Sequence, residues 1–153
     1  MNLGVAEEMV RLLAAAIVGG IIGINRDIAA KPIGLRTLAL VSLGAAIATV
    51  AAIQVPGIAG SADALSRVVQ GVIQGIMTGI SFIGAGVVLR DVRSRTVEGL
   101  TTASTVWVAA ALGIACGLGA WTVTLAGTIL ALVFLVLFEW LETKFGIGKP
   151  KKE

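Results

Sequence analysis

The stretch Gln70–Gly86 reads QGVIQGIMTGISFIGAG. It is apolar enough for a lipid bilayer. Yet glycine returns every fourth residue at Gly71, Gly75 and Gly79, and Gln70, Gln74, Thr78 and Ser81 recur beside them. Residues four apart share one face of a helix. The glycines therefore form a groove, and the polar side chains run about 100° around from it. In lipid, helices gain little from hydrophobic burial, so close backbone packing matters more, and small residues allow it. Polar side chains avoid acyl chains, so these are expected to point into a bundle, toward another helix or water. That places this helix at the centre of the bundle. Packing with polar glue accounts for the stripe without any transported solute.

The rest of the chain agrees with a membrane setting. Of 153 residues, 57% are hydrophobic and 14% charged, far less charge than the surface of a soluble domain carries. The apolar residues come in long blocks, without the alternation of barrel strands. The first block follows Glu7, Glu8 and Arg11 and lacks the basic start and cleavage site of a signal peptide. The formal charge of +3 comes from Lys and Arg clustered at segment ends. Membrane topology explains that pattern, so nucleic acid is not an expected partner. Cys116 is the single cysteine and histidine is absent, which excludes an intramolecular disulfide, a His/Cys metal site and His-based catalysis.

Five hydrophobic segments follow, at about 8–25, 37–55, 68–89, 99–118 and 120–141, each near the roughly 20 residues that span a bilayer. The expected fold is an all-α polytopic bundle over residues 1–143, with a short basic tail at 144–153. KPIG (Lys31–Gly34) and VPG (Val55–Gly57) are turn signals. RDVRSRTVEG (Arg90–Gly99) is a charged loop, and GLGAW (Gly117–Trp121) is short enough to make the last two helices an antiparallel hairpin. The first loop carries Arg26, Lys31 and Arg36, the third Arg90, Arg93 and Arg95, and the tail four lysines. The positive-inside rule then puts the N-terminus outside and the C-terminus in the cytoplasm. Trp121 and Trp140 bracket the fifth helix as interfacial anchors.

Two charged constellations are candidate sites. Arg11 lies about 21 Å above Asn25 along the first helix, inside a hydrocarbon core of about 30 Å. Glu7 and Glu8 can pair with it at i,i+4 and i,i+3, and Asp63 and Arg67 lie at a similar level. An outer cluster of Glu7, Glu8, Arg11, Asp63 and Arg67 is the expectation; the alternative is an arginine that snorkels to the headgroups. Only Glu7, Glu8 and Asp63 could offer carboxylates to a metal there. At the cytoplasmic end, Arg26, Asp27, Arg36, Arg90, Asp91 and Glu98 frame two loops, and Thr101, Thr102, Ser104 and Thr105 open the fourth helix. Hydroxyls at a helix start cap free N–H groups, and with arginines nearby the same place could hold a phosphate or lipid headgroup.

Four motifs, RLLAAAIVGGIIGINRD, GLRTLALVSLGAA, GISFIGAG and EGLTTASTVWVAAALGIACGLG, occur in order over nearly the whole chain. Together they resemble the MgtC/SapB family of bacterial inner-membrane proteins. The resemblance implies a multi-pass inner-membrane protein linked to growth in low magnesium and, in pathogens, to survival inside macrophages. It also implies a regulator of membrane energetics that restrains the F-type ATP synthase. On this resemblance the acidic–arginine pair falls on Glu7 or Glu8 and Arg11, the loop arginines on Arg26 and Arg36, and the Asp-to-Arg element on Asp63 and Arg67. The chain departs from the family at Asn25, where Glu is frequent, at Leu38, where a polar residue is frequent, and at Ser81, which stands for a glycine. It ends soon after Leu141, where the family's prototype continues into a cytoplasmic domain.

Three functions compete. A small regulator would act through helix contacts with itself, as a homodimer, or with a partner such as the ATP synthase. It needs no cofactor. A transporter of magnesium or another small solute needs a polar path, and only Gln70, Gln74, Thr78, Ser81, Thr101 and Thr102 could line one. An enzyme needs a nucleophile–base pair or metal ligands, and the sequence offers neither.

Overall fold

The computed structural model describes residues 3–57, 60–90 and 97–145. Among them are five helices: α1 Val5–Ile28, α2 Leu35–Ile53, α3 Ala62–Val87, α4 Leu100–Leu118 and α5 Trp121–Phe145. Two short strands, β1 Leu89–Arg90 and β2 Val97–Glu98, pair antiparallel between α3 and α4. The fold is the all-helical bundle expected. Helices α2 to α5 are each long and apolar enough to cross a membrane. α1 is of similar length and packs along α2 and α4.

α3 begins at Ala62 rather than at 68 because Ser61 caps it: the Ser61 hydroxyl oxygen accepts from Ala64 N at 3.3 Å, with Asp63 in the first turn. α5 runs on to Phe145, and Lys144 Nζ lies 4.5 Å from the Trp140 ring centroid. The α4–α5 turn is as tight as GLGAW implies. Gly119 takes a φ of 73°, and Ala120 N donates to Ala115 O at 2.9 Å. That is a glycine-ended helix in the left-handed conformation.

The centre of the bundle is α4, not α3, which corrects the expectation. α4 packs against every other helix, whereas α3 touches α4 and, less, α2. The cause is the distribution of small residues. A Cβ on Gly113 would lie 2.8 Å from the carbonyl carbon of Ser42, and one on Gly117 would lie 2.7 Å from Thr49 Cβ. On α1, a Cβ on Gly19 would lie 2.7 Å from Ser42 Cβ, and one on Gly23 would lie 2.7 Å from Leu35 N. So α1, α2 and α4 approach backbone to backbone, which is how helices associate in lipid. Ala15 joins Ala46 and Cys116 in one buried cluster. Ile22, Leu38, Val106, Ala109 and Leu112 form another. The face of α1 that carries Ala15, Gly19 and Gly23 is therefore used inside one chain.

Outward faces are apolar on α1 (Met9, Leu13, Ile17, Ile21, Ile24) and on α5 (Val123, Leu125, Leu130, Phe134, Phe138). Exposed to water, such a surface would far exceed what a soluble monomer tolerates; against acyl chains it is the expected coat.

Candidate functional site

Arg11 turns inward. It is 4% exposed; its Nη1 donates to Gly117 O at 2.8 Å and its Nη2 to Glu7 Oε1 at 2.5 Å. Gly119 leaves room for it, since a Cβ there would sit 2.8 Å from Nη2. The guanidinium thus occupies the carboxyl end of α4, where the helix dipole is negative and the last carbonyls have no helical partner. Its role is to lock the α4–α5 turn, with Glu7 as its counter-charge.

The outer cluster is not assembled as expected. Glu8 is half-buried and makes no ion pair among the described residues, and Asp63 and Arg67 are exposed on α3, away from Arg11. The reason is the placement of α3, which packs on α4 and α2 rather than along α1. Glu7, Glu8 and Asp63 consequently do not converge, and no group of three metal-ligating side chains forms among the described residues.

At the opposite end Arg26 is also 4% exposed, and its Nη2 donates to Thr102 Oγ1 at 2.6 Å. Asp27 caps the next helix instead: its Oδ2 accepts from Leu35 N at 2.9 Å, and Gly34 is bare because the Asp27 carboxylate presses on it. Lys31 Nζ lies 3.9 Å from Glu139 Oε1 of α5. Arg36 and Thr101 are exposed. The structure thus joins Arg26 to Thr102 and Asp27 to α2, and leaves Arg36 and Thr101 outside that contact. The backbones of Arg90 and Glu98 fall in β1 and β2. Their side chains, and all of Asp91, Arg93 and Arg95, lie outside what is described.

The hydroxyls of the fourth helix do not cap it. Ser104 donates to Leu100 O at 3.0 Å, Thr105 donates to Thr101 O at 2.7 Å, and the N-cap is Gly99 at φ 86°. Back-bonding of this kind satisfies the hydroxyl within its own helix.

The polar stripe of α3 faces away from the bundle, again a correction. Ile76, Met77 and Ile80 face α2 and α4, and Gly84 is the buried residue of the helix. Gln70, Gln74, Thr78 and Ser81 are exposed, with Ser81 Oγ bonded only to Met77 O at 2.7 Å. Nothing lies within 4 Å of a Cβ built on Gly71, Gly75 or Gly79. Asp63 and Arg67 extend the same outward face to the end of the helix.

Sequence reasoning missed the crossing of α1, α2 and α4. Ser42 and Thr49 sit there fully buried; Thr49 donates to Ala45 O at 2.8 Å, and the Ser42 hydroxyl has no partner. The small residues flanking Ser42 in SLGAA were the available signal.

A helix bundle held by glycine crossings, with a buried arginine at each end of its central helix, is a polytopic membrane protein without a soluble domain among its described residues. The chain belongs to the MgtC family, whose model matches residues 12–144. It is 43% identical over 141 residues to Protein SrpB of Synechococcus elongatus, covering 86% of this chain and 75% of that protein. It is 37% identical over 141 residues to the putative magnesium transporter YhiD of Escherichia coli strain K12, covering 89% and 62%. It is 37% identical over 131 residues to Protein MgtC of Salmonella typhimurium strain LT2, covering 86% and 52%. The chain thus spans under two thirds of the latter two proteins. No solved structure matches it.

Proposed function

We propose that this protein is a non-enzymatic regulator in the bacterial inner membrane that acts through helix contacts. By its family resemblance it serves growth in low magnesium, restraint of the F-type ATP synthase and, in a pathogen, survival in macrophages. One observation carries the reading: the outward face of α3 combines Gly71 and Gly75 with Gln70, Gln74 and Thr78 along a membrane span. Acyl chains offer these amides and hydroxyls no partner, whereas a second helix does. The first occupant is a second copy. Around a two-fold axis normal to the membrane, contacts are reciprocal, so Asp63 of each copy meets Arg67 of the other. An amide both donates and accepts, so each glutamine can pair with its own image.

The second reading is passage of a cation, in line with the name of the relative YhiD, a putative magnesium transporter. Ser66, Gln70 and Gln74 border an open groove on α3, and a second copy would close it into a path. One comparison separates the two. Purified protein in liposomes is assayed for magnesium and proton flux, and ATP-driven proton pumping is measured in inverted vesicles with and without the protein. Regulation predicts flux equal to empty liposomes and pumping that falls with wild type and recovers with Gln74→Leu. Magnesium flux above empty liposomes, lost in the same variant, would establish transport instead.

A further inference from the structure

We propose that the amino end of α4 binds a phosphate group, with Arg26 and the first-turn N–H groups of Leu100, Thr101 and Thr102 as donors. Two independent observations meet there. The first is the backbone: among the described residues these three N–H groups have no partner, and the first α4 bond is Ala103 N to Gly99 O at 2.8 Å. The N-cap residue, Gly99, has no side chain with which to cap the end, and no acid lies in the first turn. The second is Arg26 itself. It is 4% exposed, it is aimed at this turn through its 2.6 Å bond to Thr102, and its Nε is buried without any partner.

The electrostatics are the reverse of those at Arg11. A cation belongs at a helix carboxyl end, where Arg11 sits; Arg26 instead meets the positive end of the same dipole. A buried guanidinium and three free N–H groups then repel one another, and among the described residues Arg26 Nε and the three N–H groups lack acceptors. Glu139 of α5 lies within electrostatic reach of Arg26 but not within ion-pair distance, and it also meets Lys31. A phosphate oxygen satisfies both donor sets at once, since helix amino ends and arginine forks are its two commonest hosts. Leu100 and Thr101 are exposed, so the turn is open to a ligand. The phosphate could come from an anionic lipid headgroup or from solution.

The test uses the full-length protein in detergent. Amide ¹⁵N–¹H shifts of Leu100, Thr101 and Thr102 are followed on titration with inorganic phosphate at constant ionic strength. In parallel, native mass spectrometry counts retained phosphatidylglycerol against phosphatidylcholine. Saturable shifts in these three amides with inorganic phosphate support the site and a soluble source. Shifts and retention with phosphatidylglycerol alone support the site and a lipid source. Arg26→Gln should weaken either binding at least tenfold, and Arg36→Gln, at an exposed arginine of the same end, less than twofold. If Arg26→Gln fails to fold, Arg26→Lys keeps the cation without the fork and should still weaken binding severalfold. Unmoved amides with both probes, or equal loss in Arg26→Gln and Arg36→Gln, would overturn the proposal.

Discussion

Replacing Gly113 by alanine adds one methyl group at the tightest crossing of the bundle. The new Cβ would lie 2.8 Å from Ser42 C and 2.9 Å from Ser42 Cα, and it would collide with the Ser42 carbonyl oxygen. All three are backbone atoms, so no side-chain rotation relieves the overlap; α2 and α4 must part by roughly 0.5–1 Å. A gap of that size forfeits a quarter to a half of each contact, itself about 0.1–0.2 kcal/mol. Over some tens of atom pairs the loss is about 1–2 kcal/mol, within the usual ~1–3 kcal/mol for overpacking. Alanine's higher helix propensity returns roughly 0.8–1 kcal/mol at most. The net expectation is destabilisation by up to about 2 kcal/mol. Gly75→Ala is the internal control. Its Cβ meets nothing within 4 Å in the monomer, so only the propensity gain of about 1 kcal/mol applies. Both variants would be unfolded by SDS titration in mixed micelles, read by circular dichroism. Gly113→Ala should shift to lower SDS and Gly75→Ala should not. Equal midpoints, or a Gly113→Ala midpoint above wild type, would refute the claim that α2 and α4 touch backbone to backbone here.

Gly75→Leu should leave the monomer folded yet abolish cross-linked dimers in native membranes. A wild type that cross-links no more than this variant would remove the α3 dimer. Arg11→Ala removes a charged hydrogen bond to Gly117 O, worth about 1.5–3 kcal/mol, whereas Arg36→Ala at an exposed position should stay within about 0.5 kcal/mol; melting temperatures in detergent compare them. Cys116 is fully buried, its Sγ 3.8 Å from Thr124 Oγ1, so a maleimide should label it only as fast as the bundle unfolds. A reporter fused after Glu153 should read cytoplasmic and one near Gly60 external; a cytoplasmic Gly60 would overturn the orientation drawn from the positive loops.

Hydropathy and punctuation by themselves determined the membrane class, the five helices and most of their ends, because a bilayer demands about 20 apolar residues per span and turns demand Pro and Gly. The Gly117–Trp121 hairpin was legible for the same reason. The four ordered motifs were enough to recognise the family. Which face of each helix turns inward was not legible. In a soluble protein the apolar stripe marks the core, but in lipid both the core and the coat are apolar, so periodicity loses its sign. From sequence the Gln70–Thr78 stripe therefore reads as interior, on the premise that one chain must satisfy its own polar groups. Only the tertiary structure decided that Gly113 and Gly117 draw α2 onto α4 and that α3 is left outside with its amides unpartnered among the described residues. It likewise decided between a snorkelling and a buried Arg11. That choice depends on the position of the α4 carboxyl end, more than a hundred residues along the chain, and no local pattern encodes it.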